Sequence, residues 1–193
     1  KRIKMGVTTT LINKPLNPRA QDASPLAYNR AALYSGKALD FDGVNDLVTT
    51  ANNLPFTSGS DLSIVSYFKI DNSNEGYFYQ NSAIYLAVYR DGSTAVGELS
   101  GFVSGSWLDT GYIVNDSKWY QVAQIIDNGT QRIYLNGQEI ATQSGVSYDP
   151  SSQTVLDIGR RDSHHLNGQI ANFKAFNTAL TAAQIADLYN FPE

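Results

Sequence analysis

The stretch Ile133-Tyr134-Leu135-Asn136-Gly137-Gln138-Glu139-Ile140 constrains the fold more than any other part of the chain. Ile133 and Leu135 alternate with Tyr134, the period of two that marks a half-buried strand. Asn136-Gly137 then supplies the two positive φ angles of a two-residue hairpin. A second strand begins at once. A chain committed to such a hairpin must find further strands to pair with, because an isolated hairpin is marginal in water.

Those strands can be read from the sequence. Leu39 and Phe41, then Val48, suggest two strands around a turn at Asp42-Gly43. Leu62 to Ile70 reads as a strand with Leu62, Ile64, Ser66 and Phe68 on one face. Tyr77 to Tyr79, Ile84 to Arg90 and Thr94 to Leu99 follow, the last after a turn at Asp91-Gly92. Trp119 to Ile126 reads as a buried strand with Trp119 in the core, closed by Asp127-Asn128-Gly129-Thr130. Val155 to Gly159 and Gln169 to Phe176 complete the set. Many short strands with Gly and Asn turns between them predict an all-β, two-sheet antiparallel sandwich.

One helix is predicted. Thr181 is the N-cap, Gln184 completes a capping box, and Ile185, Leu188 and Tyr189 share a face. A single short C-terminal helix of this kind is expected to lie as a lid on the sandwich. Residues 1–35 differ from the rest, punctuated by Pro15, Pro18 and Pro25, with a short helix or strand expected around Leu26 to Tyr34. They read as an extended arm for docking or assembly, with Lys1, Arg2, Lys4 and Arg19 as its basic residues. Residues 36–193 form the sandwich domain in this reading. The start at Lys1, with Met5 inside, reads as a processed product or a piece of a longer polypeptide.

Composition narrows the function. The chain has 193 residues and no cysteine, long enough to bury a core without disulfides. A net charge of −4 argues against a nucleic-acid partner, which requires a clustered basic surface. No apolar run approaches bilayer length, so membrane insertion is not expected.

The ordered phrases resemble a known family. ALDFDGVND (Ala38 to Asp46), LSIVSYFK (Leu62 to Lys69), Trp119 with Val122-Ala123, IYLNGQEI, IGR (Ile158 to Arg160) and LNGQIANFKAFNTALTAAQI (Leu166 to Ile185) carry the resemblance. It is to the laminin-G-like, concanavalin A-like lectin/glucanase superfamily of the bacterial and viral kind. Tyr67 stands where that family usually carries Trp. The resemblance covers about Ala38 to Tyr189 and implies a jelly roll that binds carbohydrates or proteins, often with calcium at loop edges. It also implies an extracellular or virion-surface location.

Its glucanase members place their acids as a Glu-x-Asp-x-Glu type motif on one strand. Here Glu75, Glu98, Glu139 and Glu193 lack that spacing and read as solvated charges, so no catalytic residue is expected. His164-His165 reads as a loop pair whose rings point apart, with a transition-metal site as the alternative. Asp42, Asn45 and Asp46, with Asp40 beside them, crowd one turn, and Asp162 follows IGR. They are candidate Ca2+ ligands, or turn residues bonded to their own backbone. Tyr77, Phe78, Tyr79, Tyr85, Tyr89, Trp107 and Tyr112 crowd the middle of the chain, and alternation must send about half of them into the core. Trp107, the most loop-like, with Tyr77, Tyr79, Tyr112 and Asp109, forms the expected ligand-contact set. A Trp or Tyr there equally suits a protein interface.

The expected function is a non-catalytic binding and structural module, a lectin-like sandwich that binds a glycan or a protein. The alternative is a capsid-decoration or tail-associated protein anchored by its arm, as a homo-oligomer or a subunit of a large complex. A glycoside hydrolase is the more distant alternative.

Overall fold

The computed structural model describes residues 38–50, 56–71, 76–88, 94–114, 117–149 and 155–190. The expected arm, with Lys1, Arg2, Lys4 and Arg19, lies outside the described residues, as do Glu75, Tyr89, the turn at Asp91-Gly92 and Glu193.

Two six-stranded antiparallel sheets make up the domain. The first runs β1 (Leu39–Asp42), β14 (Asn167–Phe176), β3 (Leu62–Ile70), β8 (Trp119–Asp127), β9 (Thr130–Leu135), β10 (Gln138–Ser144). The second runs β2 (Val48–Thr49), β11 (Asp157–Ile158), β4 (Gly76–Gln80), β5 (Ile84–Val88), β6 (Glu98–Val103), β7 (Ser106–Ile113). A small hairpin of β12 (Arg160–Arg161) and β13 (His164–His165) lies against β4. Helix α1 (Ala182–Asn190) follows the last strand.

Alternation builds the core between the sheets. Leu62, Ile64, Phe68 and Ile70 of β3 meet Ile84, Leu86 and Val88 of β5 and Leu99 and Val103 of β6 in one cluster. The other face of the first sheet is covered by α1. Ile185 is fully buried there against Val65, Ala123, Ile125 and Tyr134. The predicted capping box is present: Gln184 N–H donates to Thr181 Oγ1 at 3.3 Å, and Thr181 N–H donates to Gln184 Oε1 at 2.9 Å.

Asn136 and Gly137 take φ of 51° and 80°, the primed turn that their dipeptide predicts. The turn also packs. A Cβ on Gly137 would stand 3.3 Å from the Tyr189 ring, so the hairpin tip touches the end of α1.

Three expectations need correction. β1 and β2 do not form a hairpin, because β1 pairs with β14 and β2 with β11, so the chain between them crosses from one sheet to the other. Trp107 is not in a loop. Ser104-Gly105, at φ 40° and 96°, makes a second tight turn and sends residues 106–113 back as β7, paired with β6. Trp119 is half-buried rather than core, because it opens β8 at the sheet end opposite Lys69.

One polar bridge crosses the apolar layer. Fully buried Gln124 of β8 accepts from Tyr79 Oη at 2.7 Å and donates from Nε2 to the Phe102 carbonyl at 3.2 Å. Gly101, beside Phe102, makes room for it. A Cβ there would run into the Gln131 amide and would lie 2.7 Å from Ile133 Cδ1 and 3.0 Å from Gln124 Nε2. Overpacking of this kind costs about 1–3 kcal/mol. Gly101→Ala is therefore expected to lower the urea unfolding free energy by about that amount. A loss below about 0.5 kcal/mol, the usual range for unremarkable surface sites, would mean that the opposing glutamines are not held as described.

Candidate functional site

The second sheet carries one continuous row of outward side chains. Strand register aligns Thr49 with Asp157, Asp157 with Gln80, Gln80 with Tyr85, Tyr85 with Phe102, and Phe102 with Trp107. These are directly opposed residues on six adjacent strands. At about 4.8 Å per strand, the row spans roughly 24 Å.

A bulge in β4 sets which residues join it. Register shifts between Tyr77 and Tyr79, so Phe78 and Tyr79 both enter the core opposite Leu86. Tyr77 and Gln80 are thereby left on the outer face. Gly159, at φ 86°, makes a similar adjustment after β11. It ends the pairing with β4 and turns the chain into the β12–β13 hairpin. A side chain at 159 would collide with the Phe41 ring.

The row has two chemical halves. At the polar end Asp157 accepts from Thr49 Oγ1 at 2.6 Å, from Arg160 Nη2 at 3.0 Å and from Gln80 Nε2 at 3.4 Å. Burial raises the Asp157 carboxyl, but these three donors and the Arg160 charge outweigh it, and the group is held below its ordinary value. At the aromatic end Tyr85 and Phe102 stack at 4.5 Å with ring planes 17° apart, and Trp107 lies 5.1 Å beyond Phe102 at 58°. The Arg161 guanidinium carbon sits 4.9 Å from the Tyr85 ring centroid and 5.1 Å from that of Tyr77, and Arg161 Nη1 donates to Tyr77 Oη at 2.8 Å.

The structure sorts the expected ligand-contact residues. Trp107 lies in the row, half-buried. Asp109 is exposed two positions along the same strand, on the same face. Tyr112 is exposed too, but five residues along β7, roughly 16 Å away at about 3.3 Å per residue. Tyr79 faces the core and Tyr77 lies beneath Arg161, and both are fully buried, so neither ring offers a face to a ligand. Tyr85, named above only in the wider aromatic set, also lies in the row, and Thr49, Gln80, Phe102 and Asp157 join it without having been singled out in the sequence. β2 and β11 have two residues each, too short to show alternation.

The turn at Asp42 spends its acids on backbone. Asp42 Oδ1 accepts from Val44 N–H at 2.8 Å and Asn45 N–H at 3.4 Å, and Asp46 Oδ2 accepts from Asp42 N–H at 3.1 Å. Asp162 is exposed in the β12–β13 turn, 3.6 Å from Arg161 Nε. Among the described residues no group of three or more His, Cys, Asp or Glu is placed to hold a metal ion. His164 and His165 form β13 rather than a loop and do point apart. His164 faces Tyr77 at 6.0 Å, and His165 Nδ1 lies 3.5 Å from the Asp46 carbonyl. Glu98 is not merely solvated, since its carboxylate accepts from Gly111 N–H at 2.8 Å and Ala95 N–H at 3.1 Å and holds the end of β7.

The lowered Asp157 value fixes the sign of a pH effect. A carboxyl depressed on folding contributes stability that is complete above its unfolded value, about 3.9, and is lost as pH falls through the lower folded value. Asp157→Asn should flatten the acid limb of stability against pH. Parallel curves for the two proteins, from urea midpoints between about pH 2 and pH 6, would contradict the Asp157 contacts.

Comparison with known proteins places the fold. Residues 42–186 match the family model of the concanavalin A-like lectin/glucanases superfamily. No curated protein matches in sequence. The native heptameric SAP-like pentraxin of Limulus polyphemus superposes with a TM-score of 0.63 at 17% identity, covering 78% of this chain and 80% of that one. Domain 4 of an extracellular arabinanase from Geobacillus stearothermophilus, solved in complex with arabinotriose, gives 0.58 at 16% identity, covering 77% and 86%. The receptor binding domain of botulinum neurotoxin D gives 0.58 at 17% identity, over 80% of this chain but 46% of that one. With most of its length matched by the family model and its strands arranged as two packed antiparallel sheets, the chain belongs to the concanavalin A-like lectin/glucanase superfamily.

Proposed function

We propose that this domain is a non-catalytic carbohydrate-binding module, displayed outside the cell or on a particle surface, that holds a glycan along the outer row of its second sheet. The observation that carries this reading is the row itself, from the ionised Asp157 to the Tyr85–Phe102–Trp107 ladder. A saccharide has apolar C–H faces and polar hydroxyl edges. The Trp107 indole, turned 58° from Phe102 at the edge of the ladder, suits the first. A carboxylate and an amide suit the second, because an ionised carboxylate offers about four lone-pair sites and an amide both donates and accepts. Family membership and the arabinotriose complex of a structurally similar domain support the ligand class.

Spacing argues against hydrolysis. Glycosidases place two carboxylates within about 5–9.5 Å of each other across the bond. The outward acids Asp157 and Asp109 lie four strand intervals apart on β11 and β7, roughly 19 Å at about 4.8 Å each. Asp157 is also held as an anion by its donors and is a poor proton donor. Among the described residues no helix is long and apolar enough to cross a membrane.

On a glycan array the unmutated domain is expected to give a defined set of positives. Trp107→Ala and Asp157→Asn should each weaken the best of them at least tenfold, about 1.4 kcal/mol, with the fold retained by circular dichroism. An array blank for the unmutated domain, with and without calcium, would sink the proposal.

A further inference from the structure

The side of the sandwich where β1 and β2 lie is open. Leu39 shares the core-facing side of β1 with Phe41, and Val48 stands opposite the core residue Ile158 on β11. Both therefore point toward the layer between the sheets, yet Leu39 is 49% and Val48 38% exposed. Among the described residues seven large apolar side chains are exposed, and four of them, Leu39, Val44, Leu47 and Val48, fall within this one stretch of ten residues. Clustering of that kind marks a contact surface rather than scattered exposure.

β1 also ends its sheet. Its neighbour is β14, and no other strand lies beside its outer backbone edge among the described residues. Asp40 and Asp42 stand on the face of β1 opposite to Phe41. Asp40 accepts from the Gln169 amide and Asp42 from the N–H groups of Val44 and Asn45, and among the described residues neither carboxylate meets a cation. The strand thus alternates apolar toward the core and acidic outward. A second β1 cannot complete this edge, because antiparallel pairing of two copies sets aspartate against aspartate.

Residues 1–37 lead directly into β1 and have the opposite charge. They carry seven Lys or Arg and one Asp, whereas residues 38–193 carry seven Lys or Arg and seventeen Asp or Glu. Arg2-Ile3-Lys4-Met5 is the matching phrase, since basic and apolar residues alternate there with the period of a strand.

We infer that residues 2–5 add to the outer edge of β1 as an antiparallel strand and close the open side of their own domain. With Ile3 opposite Phe41, every pair is complementary. Arg2 meets Asp42 and Lys4 meets Asp40 on the outer face, while Met5 joins Leu39 over the apolar layer. Main-chain hydrogen bonds to β1 supply the affinity and the side-chain pairs the register, as in strand addition generally. The 32 residues between Met5 and Ala38 can span about 105 Å, against roughly 13 Å for β1, so the connection is long enough. Tethering raises the local concentration of the segment above that of a second copy in dilute solution, which favours the same chain.

The chain has no cysteine, so paired cysteines report the contact directly. In the full chain, Met5→Cys with Leu39→Cys is expected to oxidise to a disulfide within one molecule, seen by mass spectrometry and gel filtration. Closure should be at least about tenfold faster than for Met5→Cys with Val96→Cys, ahead of β6 and four strands from β2. Leu39 and Val96 are 49% and 54% exposed, so neither substitution removes a core side chain. Lys4→Glu should slow closure of the first pair about threefold, within the range of cross-strand charge pairs, and adding Asp40→Lys should restore it. Equal rates for the two cysteine pairs, or a disulfide formed mainly between copies, would overturn the inference. So would a closure rate that does not respond to Lys4→Glu.

Discussion

The bridge Tyr79–Gln124–Phe102 is the contact on which the rest of the arrangement depends. It is the polar tie that runs through the apolar layer from β8 to both β4 and β6. Sheets packed only by aliphatic side chains tolerate small slips, because dispersion is not directional. A buried amide with a fixed donor and a fixed acceptor is far less forgiving, since a displaced partner leaves a buried group unsatisfied. The carbonyl it holds belongs to Phe102, the central ring of the outer ladder. Inner-face chemistry thus fixes the backbone of the residue that the outer face uses.

The outer row is built by local departures from regular strand geometry. Without the bulge at Phe78-Tyr79, alternation would send one of Tyr77 and Gln80 inward, because they lie three residues apart. Without the positive φ at Gly159, Arg160 would continue β11 instead of folding back onto Asp157. Each departure moves side chains rather than elements. The sandwich remains a sandwich while the identity of its exposed row changes.

Elements governed by local rules were legible in the sequence. The Asn136-Gly137 turn, the Thr181–Gln184 box and the nine apolar-patterned residues of β3 are each encoded within a few positions. The order of such phrases was enough to point to the superfamily. The site was not legible in the same way. Its six residues come from six strands, aligned by register that no local pattern carries. β7 reads as polar and loop-like because it is an edge strand with exposed residues on both faces, so Trp107 reads as a loop residue although it lies on a strand. Tyr79 misled for the opposite cause. A bulge inverts alternation at one residue, and nothing in Tyr77-Phe78-Tyr79 announces which ring goes inside.

The row is pre-arranged at both ends, and this bears on how it would bind. Asp157 is held by three donors before any ligand arrives, so ordering its carboxylate adds little cost to association. Tyr85 is fixed between the Arg161 guanidinium and the Phe102 ring, 4.5 Å away and close to the strand spacing of about 4.8 Å. Rings at that separation and nearly parallel turn their faces along the row, toward each other. They therefore stiffen the ladder more than they present flat surface outward. Trp107, turned 58° from Phe102 on the edge strand, breaks the stack and gives its indole a different aspect. The ladder's interior supplies rigidity, and its edge residue and the polar end supply recognition, a division set by sheet register rather than by residue type.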